Sequence, residues 1–318
     1  MDRALVNNHT RQFRINLLFL CVAVLLSLYF AQMRFDLNIF YDRATPELLV
    51  EGNAPNPYQS RILIPWLVRG LLALPFIPST AIDALSKGID FIALLLLLIS
   101  FRYYLKLLFQ SQLISTILAF SLFYALPFNY LYTFWYPYDI PSVLFFTLGL
   151  ALLYRHNWKW YYPLFIVASL NRETTIFLVF IYVVANVDNT PLRKLFQHSI
   201  AQLLIWGAIR LVLVNLTGES ARTFQWIFER NIETVLRPAV LLWIPVCGGM
   251  SWLLAFLGYW SIKDRFVRRS LLVVIPWLVG MFLVGSIVEL RIYGELIPVF
   301  LPAALLALRE VFSLDPDS

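Results

Sequence analysis

The run from Ile15 to Met33, nineteen residues without a charged side chain, limits what this chain can fold into more than any other feature. As a helix it is about as long as a bilayer's hydrocarbon core is thick, and comparable runs follow it along the chain. Hydrophobic residues make up 60% of the 318 and charged ones only 14%, whereas soluble domains carry about a quarter charged residues. The expected fold is therefore an all-α polytopic membrane protein, a single transmembrane domain over 1–318 of about ten transmembrane helices. No separate soluble domain fits. The net charge of +6 does not imply nucleic acid, because basic residues in such a chain mark cytoplasmic loops. Cys21 and Cys247 both lie in apolar stretches, so neither a disulfide framework nor a metal cluster is implied.

Arg3, Arg11 and Arg14 precede the first run and place the N-terminus in the cytoplasm. The run lacks a small-residue cleavage site and is followed by others, which argues for a first helix rather than a signal peptide. The loop over 34–60 is then extracytoplasmic. Arg61, Pro65 and Arg69 recur every four residues against Leu, Ile, Val and Trp, predicting a re-entrant or interfacial helix over 61–78. Further spans are predicted near 84–104, 112–127, 139–154, 159–170, 174–187, 198–215, 238–260, 270–288 and 295–310. Trp160 to Asn186 carries Asn171, Arg172 and Glu173 at its middle. As one lipid-facing helix it would bury two charges at about 3 kcal/mol each, so a hairpin with its turn at Asn171–Thr174 is expected instead. That choice keeps Arg102, Lys106, Arg155, Lys159, Arg193, Lys194, Lys263, Arg265, Arg268 and Arg269 on the cytoplasmic side, with the C-terminus. Over 221–237, Phe224, Ile227, Phe228, Ile232, Val235 and Leu236 fall on one side, predicting a horizontal helix on the outer leaflet.

In this topology thirteen of the nineteen acidic residues lie on the outer face, so the chemistry is expected there. No phosphate-binding glycine loop, dinucleotide fingerprint or His-Glu-x-x-His is present, and His9, His156 and His198 fall on the other side. Asp36 emerges from the first helix into a loop shared with Asp42, and a carboxylate at such a boundary can serve as a general base toward a hydroxyl. Arg61, Arg172 and Arg291 reach the same face from three separate loops. Guanidinium forks bind phosphate oxygens; alternatively Arg172 pairs with Glu173, and Arg291 with Glu289 or Glu295. Phe128 to Asp139 is rich in aromatics, which suit an interfacial belt or stacking on a sugar, with Asp139 accepting from hydroxyls.

The first loop, FDLNIFYDRATPELLVEGNAPNPY, with the NRET turn and the late ELRIYGELIP stretch, resembles the GT-C superfamily of integral membrane glycosyltransferases, in particular its polyprenyl-phosphomannose-dependent members. That resemblance implies inverting sugar transfer on the extracytoplasmic face from a polyprenyl-phosphate donor to a glycan, lipid or protein acceptor. It implies Asp36 as the catalytic base and Arg172 and Arg291 at the donor phosphate; Asp42, Tyr58, Arg61, Asp139, Glu173, Glu289 and Tyr293 are expected beside them at the substrate site. The first loop has no Asp-x-Asp or Glu-x-Asp pair; no metal ligands are assigned, and a divalent cation is an optional cofactor. A bacterial cytoplasmic membrane is the implied location. The same residues also suit a transporter or flippase for a lipid-linked or anionic solute, or a non-catalytic subunit of a membrane complex.

Overall fold

A computed structural model describes residues 2–217, 227–235, 237 and 244–312. Those residues form helices and connecting turns, and their one β contact is an isolated bridge between Ile39 and Phe134. The long N-terminal helix α1 (Asp2–Leu37) is followed by a short α2 (Pro46–Glu51) and α3 (Leu63–Leu72). Then come α4 (Ile82–Phe109), α5 (Gln112–Ala119), α6 (Leu122–Tyr130), α7 (Asp139–Tyr154), α8 (Trp158–Asn171), α9 (Phe177–Asn186) and α10 (Leu192–Thr217). The later part holds α11 (Phe228–Val235), α12 (Ser251–Leu257), α13 (Arg265–Ser270), α14 (Val274–Val284) and α15 (Ile297–Phe312).

Five helical segments are long and apolar enough to cross a membrane: Thr10–Leu37, Ser79–Phe109, Gln112–Tyr130, Leu192–Thr217 and Arg265–Val284. This is the helix content of a membrane protein. Helices α7, α8 and α9, of 16, 14 and 10 residues, are shorter than the hydrocarbon thickness. Helix α7 packs in the interior against α4 and α8, while α8 leaves Trp160, Ile166 and Val167 exposed.

The first loop is ordered by local chemistry. Thr45 caps α2 by accepting from Leu48 N, Pro46 occupies its first turn, and Gly52 closes it with φ of 79°, a left-handed conformation that disfavours side chains. Leu49, Val50 and Ala54 then join Ile64 and Val68 of α3 and Tyr136 and Tyr138 in a small core separate from the main one. The helix expected over 61–78 is present with narrower bounds. The helix runs from Leu63 to Leu72, with Ile64, Pro65 and Val68 turned into the protein and Arg69 at the exposed edge of that side. Arg61 and Pro65 are buried and Arg69 donates from Nε and Nη2 to Val50 O, while Trp66 and Leu67 are exposed. Arg61 faces inward because it finds a partner there that water would otherwise supply.

Chain reversal at Asn171–Thr174 is plain in the geometry. Arg172 is extended (φ −156°, ψ 144°), and Trp158 at the start of α8 comes back within 5.0 Å, ring to ring, of Tyr182 in α9. Helix α10 docks on this hairpin through one face. His198 meets Tyr162 OH at Nδ1, Gln202 Oε1 accepts from Tyr161 OH, Trp206 Nε1 donates to Glu173 O, and Arg210 Nη2 donates to Ser169 O. Each residue lies four beyond the last, as one helical stripe requires. Side-chain hydrogen bonds of this kind join helices where no apolar surface need be hidden from lipid.

In α11 the buried residue is Asn231, which donates to Phe282 O and Gly285 O, while Phe228 and Ile232 stay exposed. Residues 221–226 and 236 of the expected horizontal helix lie outside the described residues.

Candidate functional site

One end of the bundle holds a buried ionic network, and each member arrives there for a local reason. Helix α1 ends just past Arg34, whose side chain is completely buried. Its Nη1 donates to Asp90 Oδ1 at 2.6 Å, and its Nη2 to Asp139 Oδ2 at 3.2 Å and Tyr136 O at 3.0 Å. Asp139 opens α7, where the helix dipole favours a negative charge. Three guanidinium groups surround it: Arg34, Arg172 Nη1 at 3.5 Å and Arg291 Nη1 at 3.4 Å. Arg291 also reaches Glu289 at 2.7 Å, and Arg172 reaches Glu295 at 2.8 Å. Thr174 Oγ1 donates to the other oxygen of Glu295 at 2.5 Å.

The pairing differs from the expected one in a single respect, with a clear cause. Arg172 does not pair with its neighbour Glu173. In extended backbone adjacent side chains point to opposite sides, so Arg172 turns to Asp139 and Glu295 while Glu173 turns to Arg61, with Nε to Oε2 at 3.2 Å and Nη2 to Oε1 at 2.5 Å. Arg291 does pair with Glu289, one of the two partners expected for it. Burial works to raise the Glu173 carboxyl, but the Arg61 guanidinium outweighs it and holds the group at about 2.

Four arginines (34, 61, 172 and 291) thus meet five carboxylates (Asp90, Asp139, Glu173, Glu289 and Glu295), and Arg210 is close enough to act on Glu173 as a fifth cation. The charges balance, as a low-dielectric setting demands. Three tyrosines roof the network: Tyr58 stacks on Tyr136 at 5.3 Å and Tyr136 on Tyr138 at 5.4 Å. Arg61 lies 4.8 Å over Tyr138, and Arg291 lies 4.3 Å over Tyr136. The loop that carries Tyr136 and Tyr138 is tied to the end of α1, since Asn38 Nδ2 donates to Tyr130 O and Ile39 pairs with Thr133 and Trp135 through the backbone. Asn171 Nδ2 donates to Tyr138 O and Ser142 Oγ and closes the side facing α8. Tyr130 packs so tightly on Gly294 that a Cβ there would stand 1.8 Å from its hydroxyl oxygen.

Of the residues singled out from sequence, the fold thus gathers Tyr58, Arg61, Asp139, Arg172, Glu173, Glu289 and Arg291. Tyr293 is buried beside them and donates to Ile287 O. Asp36 and Asp42 are not part of the cluster. Asp42 is exposed on the first loop. Asp36 is exposed two residues beyond Arg34, about 200° around the helix from it, and accepts from Gln32 Nε2 at 2.7 Å. Asp36 therefore stands apart from the gathered charges, because α1 remains helical to Leu37 and presents Arg34, not Asp36, to the interior.

Arg34 and Asp90 are network members that the sequence reading did not pick out. Their signal was a charge set among core-facing small and aromatic residues, Phe30 and Ala31 before Arg34, and Ser86 and Ala93 around Asp90. Among the described residues, no group of three or more His, Cys, Asp or Glu side chains could hold a metal ion. Space beside the network is small: the cavity lined by Ser142, Arg172, Thr175 and Glu295 amounts to about 10 Å³. Arg172 Nε and Arg291 Nε make no hydrogen bond. No protein-family model, curated protein or solved structure matches the chain.

Proposed function

We propose that this chain is a multi-spanning glycosyltransferase that transfers a sugar from a polyprenyl-phosphate donor to an acceptor on the extracytoplasmic face. The observation that carries the reading is the meeting of Arg172 and Arg291 on Asp139, each with an Nε still unpartnered, at sites where the chain breaks between helices. Charges held at such a place in a membrane protein are functional by default. In this reading ten segments cross or enter the bilayer, both termini are cytoplasmic and the network end faces outward, in a bacterial cytoplasmic membrane. The two arginines hold the departing phosphate, whose oxygens replace the Asp139 carboxylate. Asp36 takes the proton of the acceptor hydroxyl as that oxygen attacks the anomeric carbon. Because Asp36 and Arg34 face opposite sides of α1, donor binding has to draw the end of α1 and the roof of tyrosines apart.

The test is release of polyprenyl phosphate by purified protein, given polyprenyl-phosphate hexoses and envelope extract as acceptor. Asp36→Asn should abolish release at unchanged thermal stability, and Arg172→Lys should raise the donor KM. If no such donor is turned over, or if Asp36→Asn retains full turnover, the reading is wrong. The placement of both arginines at helix breaks also suits a carrier of anionic lipid-linked solutes, which use interrupted helices to bind their cargo. Vesicle uptake without cleavage of the donor would identify that alternative.

A further inference from the structure

A second open space lies away from the ionic network. It is a groove of about 480 Å³ between the last turns of α1 and the first turns of α4. Leu28, Ala31 and Phe35 line it on one side, and Ala84, Gly88 and Phe91 on the other; at Gly88 a Cβ would meet nothing within 4 Å. Both flanking helices are long and apolar enough to span a membrane, and Leu28 and Gln32 leave the groove open at the surface.

Its two ends differ chemically. Helices α1 and α4 run antiparallel here, which puts Leu28 and Phe91 at the deep end and Gln32, Asp36, Asp83 and Lys87 at the mouth. Lys87 Nζ bonds to Gln32 Oε1 at 3.2 Å and sits 4.2 Å over the Phe35 ring, and Gln32 passes the chain on to Asp36. Asp83 is exposed at the same mouth, with Glu47 of α2 close enough to act on it. The apolar slot is thus lined at its mouth by one ammonium, Lys87, and one carboxylate, Asp83, with Asp36 next to them through Gln32 and Glu47 next to Asp83. A ligand that fits must be an amphiphile whose head carries both signs.

We propose that this groove is a binding site for a phosphoethanolamine lipid. Its phosphate lies on Lys87, its primary ammonium between Asp83 and Asp36, and one acyl chain along Leu28, Ala31 and Phe91. The carboxylate excess repels a purely anionic head, and a primary ammonium, unlike a quaternary one, donates hydrogen bonds to both acids. The site borders Asp36, which the transferase reading also uses, but its test is separate from that reading because it follows lipid retention and alters only Asp83 and Gly88 of α4.

Native mass spectrometry of the full-length protein from detergent, titrated with dioleoyl phosphatidylethanolamine, phosphatidylcholine and phosphatidylglycerol, tests it. The expected result is retention of the ethanolamine lipid at least fivefold above either of the others. Asp83→Asn, at an exposed position, should reduce that preference to near unity, and Gly88→Leu should reduce binding of all three lipids by filling the slot. Equal or stronger retention of phosphatidylglycerol overturns the proposal, as does an ethanolamine preference that survives both substitutions.

Discussion

Asp139 is the residue on which the network depends. Three guanidinium groups face its carboxylate from α1, the turn after α8 and the stretch before α15, and its side chain is fully buried. Removing one partner of a buried ion pair costs about 3–5 kcal/mol, because the charges left behind have nowhere to go. Asp139→Asn should therefore lower stability by about that amount in detergent thermal unfolding. Asp36→Asn, at an exposed position, should stay within about 0.5 kcal/mol of the parent. Glu173 makes a prediction with a sign. Its carboxyl is depressed in the folded protein, so the stabilisation from Arg61 is complete above the unfolded value of about 4.3 and is lost as pH falls through about 2. The stability gap between the parent and Glu173→Gln should thus be flat from pH 7 to 5 and close between pH 4 and 2, as followed by thermal melts in buffers spanning that range.

Among the elements, α10 shows how a helix with little apolar contact is held in place. Its four-residue stripe of His198, Gln202, Trp206 and Arg210 makes the docking contacts with the α8–α9 hairpin, and the first three bond through their side chains to Tyr162, Tyr161 and the Glu173 carbonyl. Gln202→Leu leaves the buried Tyr161 hydroxyl without an acceptor and should cost about 1–3 kcal/mol; adding Tyr161→Phe should recover most of it, because both polar partners are then gone. A double-mutant cycle by thermal unfolding measures this directly. The all-helical class and the break at Asn171–Glu173 were legible in the sequence, since apolar runs and a charge set inside one follow from chain-local chemistry, but the break at Cys247–Met250, inside the span expected over 238–260, was not. The pairings were not. Which acid Arg172 meets depends on one extended residue, and whether Arg34 or Asp36 faces inward depends on where α1 stops winding. Neither leaves a mark in hydrophobic spacing.

At the scale of the whole molecule, the network sits at one end of the bundle and the Trp158–His198 stack belongs to the other end of the α8–α9 hairpin. Cysteines placed singly at the exposed positions 42 and 159 should react with a membrane-impermeant thiol reagent from opposite sides of the membrane; labelling of both from one side would contradict the ten-segment topology. The buried positions 139, 172 and 291 are unsuited to such labelling until the network opens. The separation of partners along the chain also has a consequence for biosynthesis. Arg34 leaves the ribosome 56 residues before Asp90 and 105 before Asp139. At roughly 5–20 residues per second, its first carboxylate follows about 3–11 s later and its second about 5–21 s later. Through that interval the newly made α1 holds an uncompensated cation at its end, so it should remain at the translocon or beside a chaperone until α4 emerges. Nascent chains arrested before Asp90 should crosslink to that machinery, and chains arrested beyond Asp139 should have been released from it.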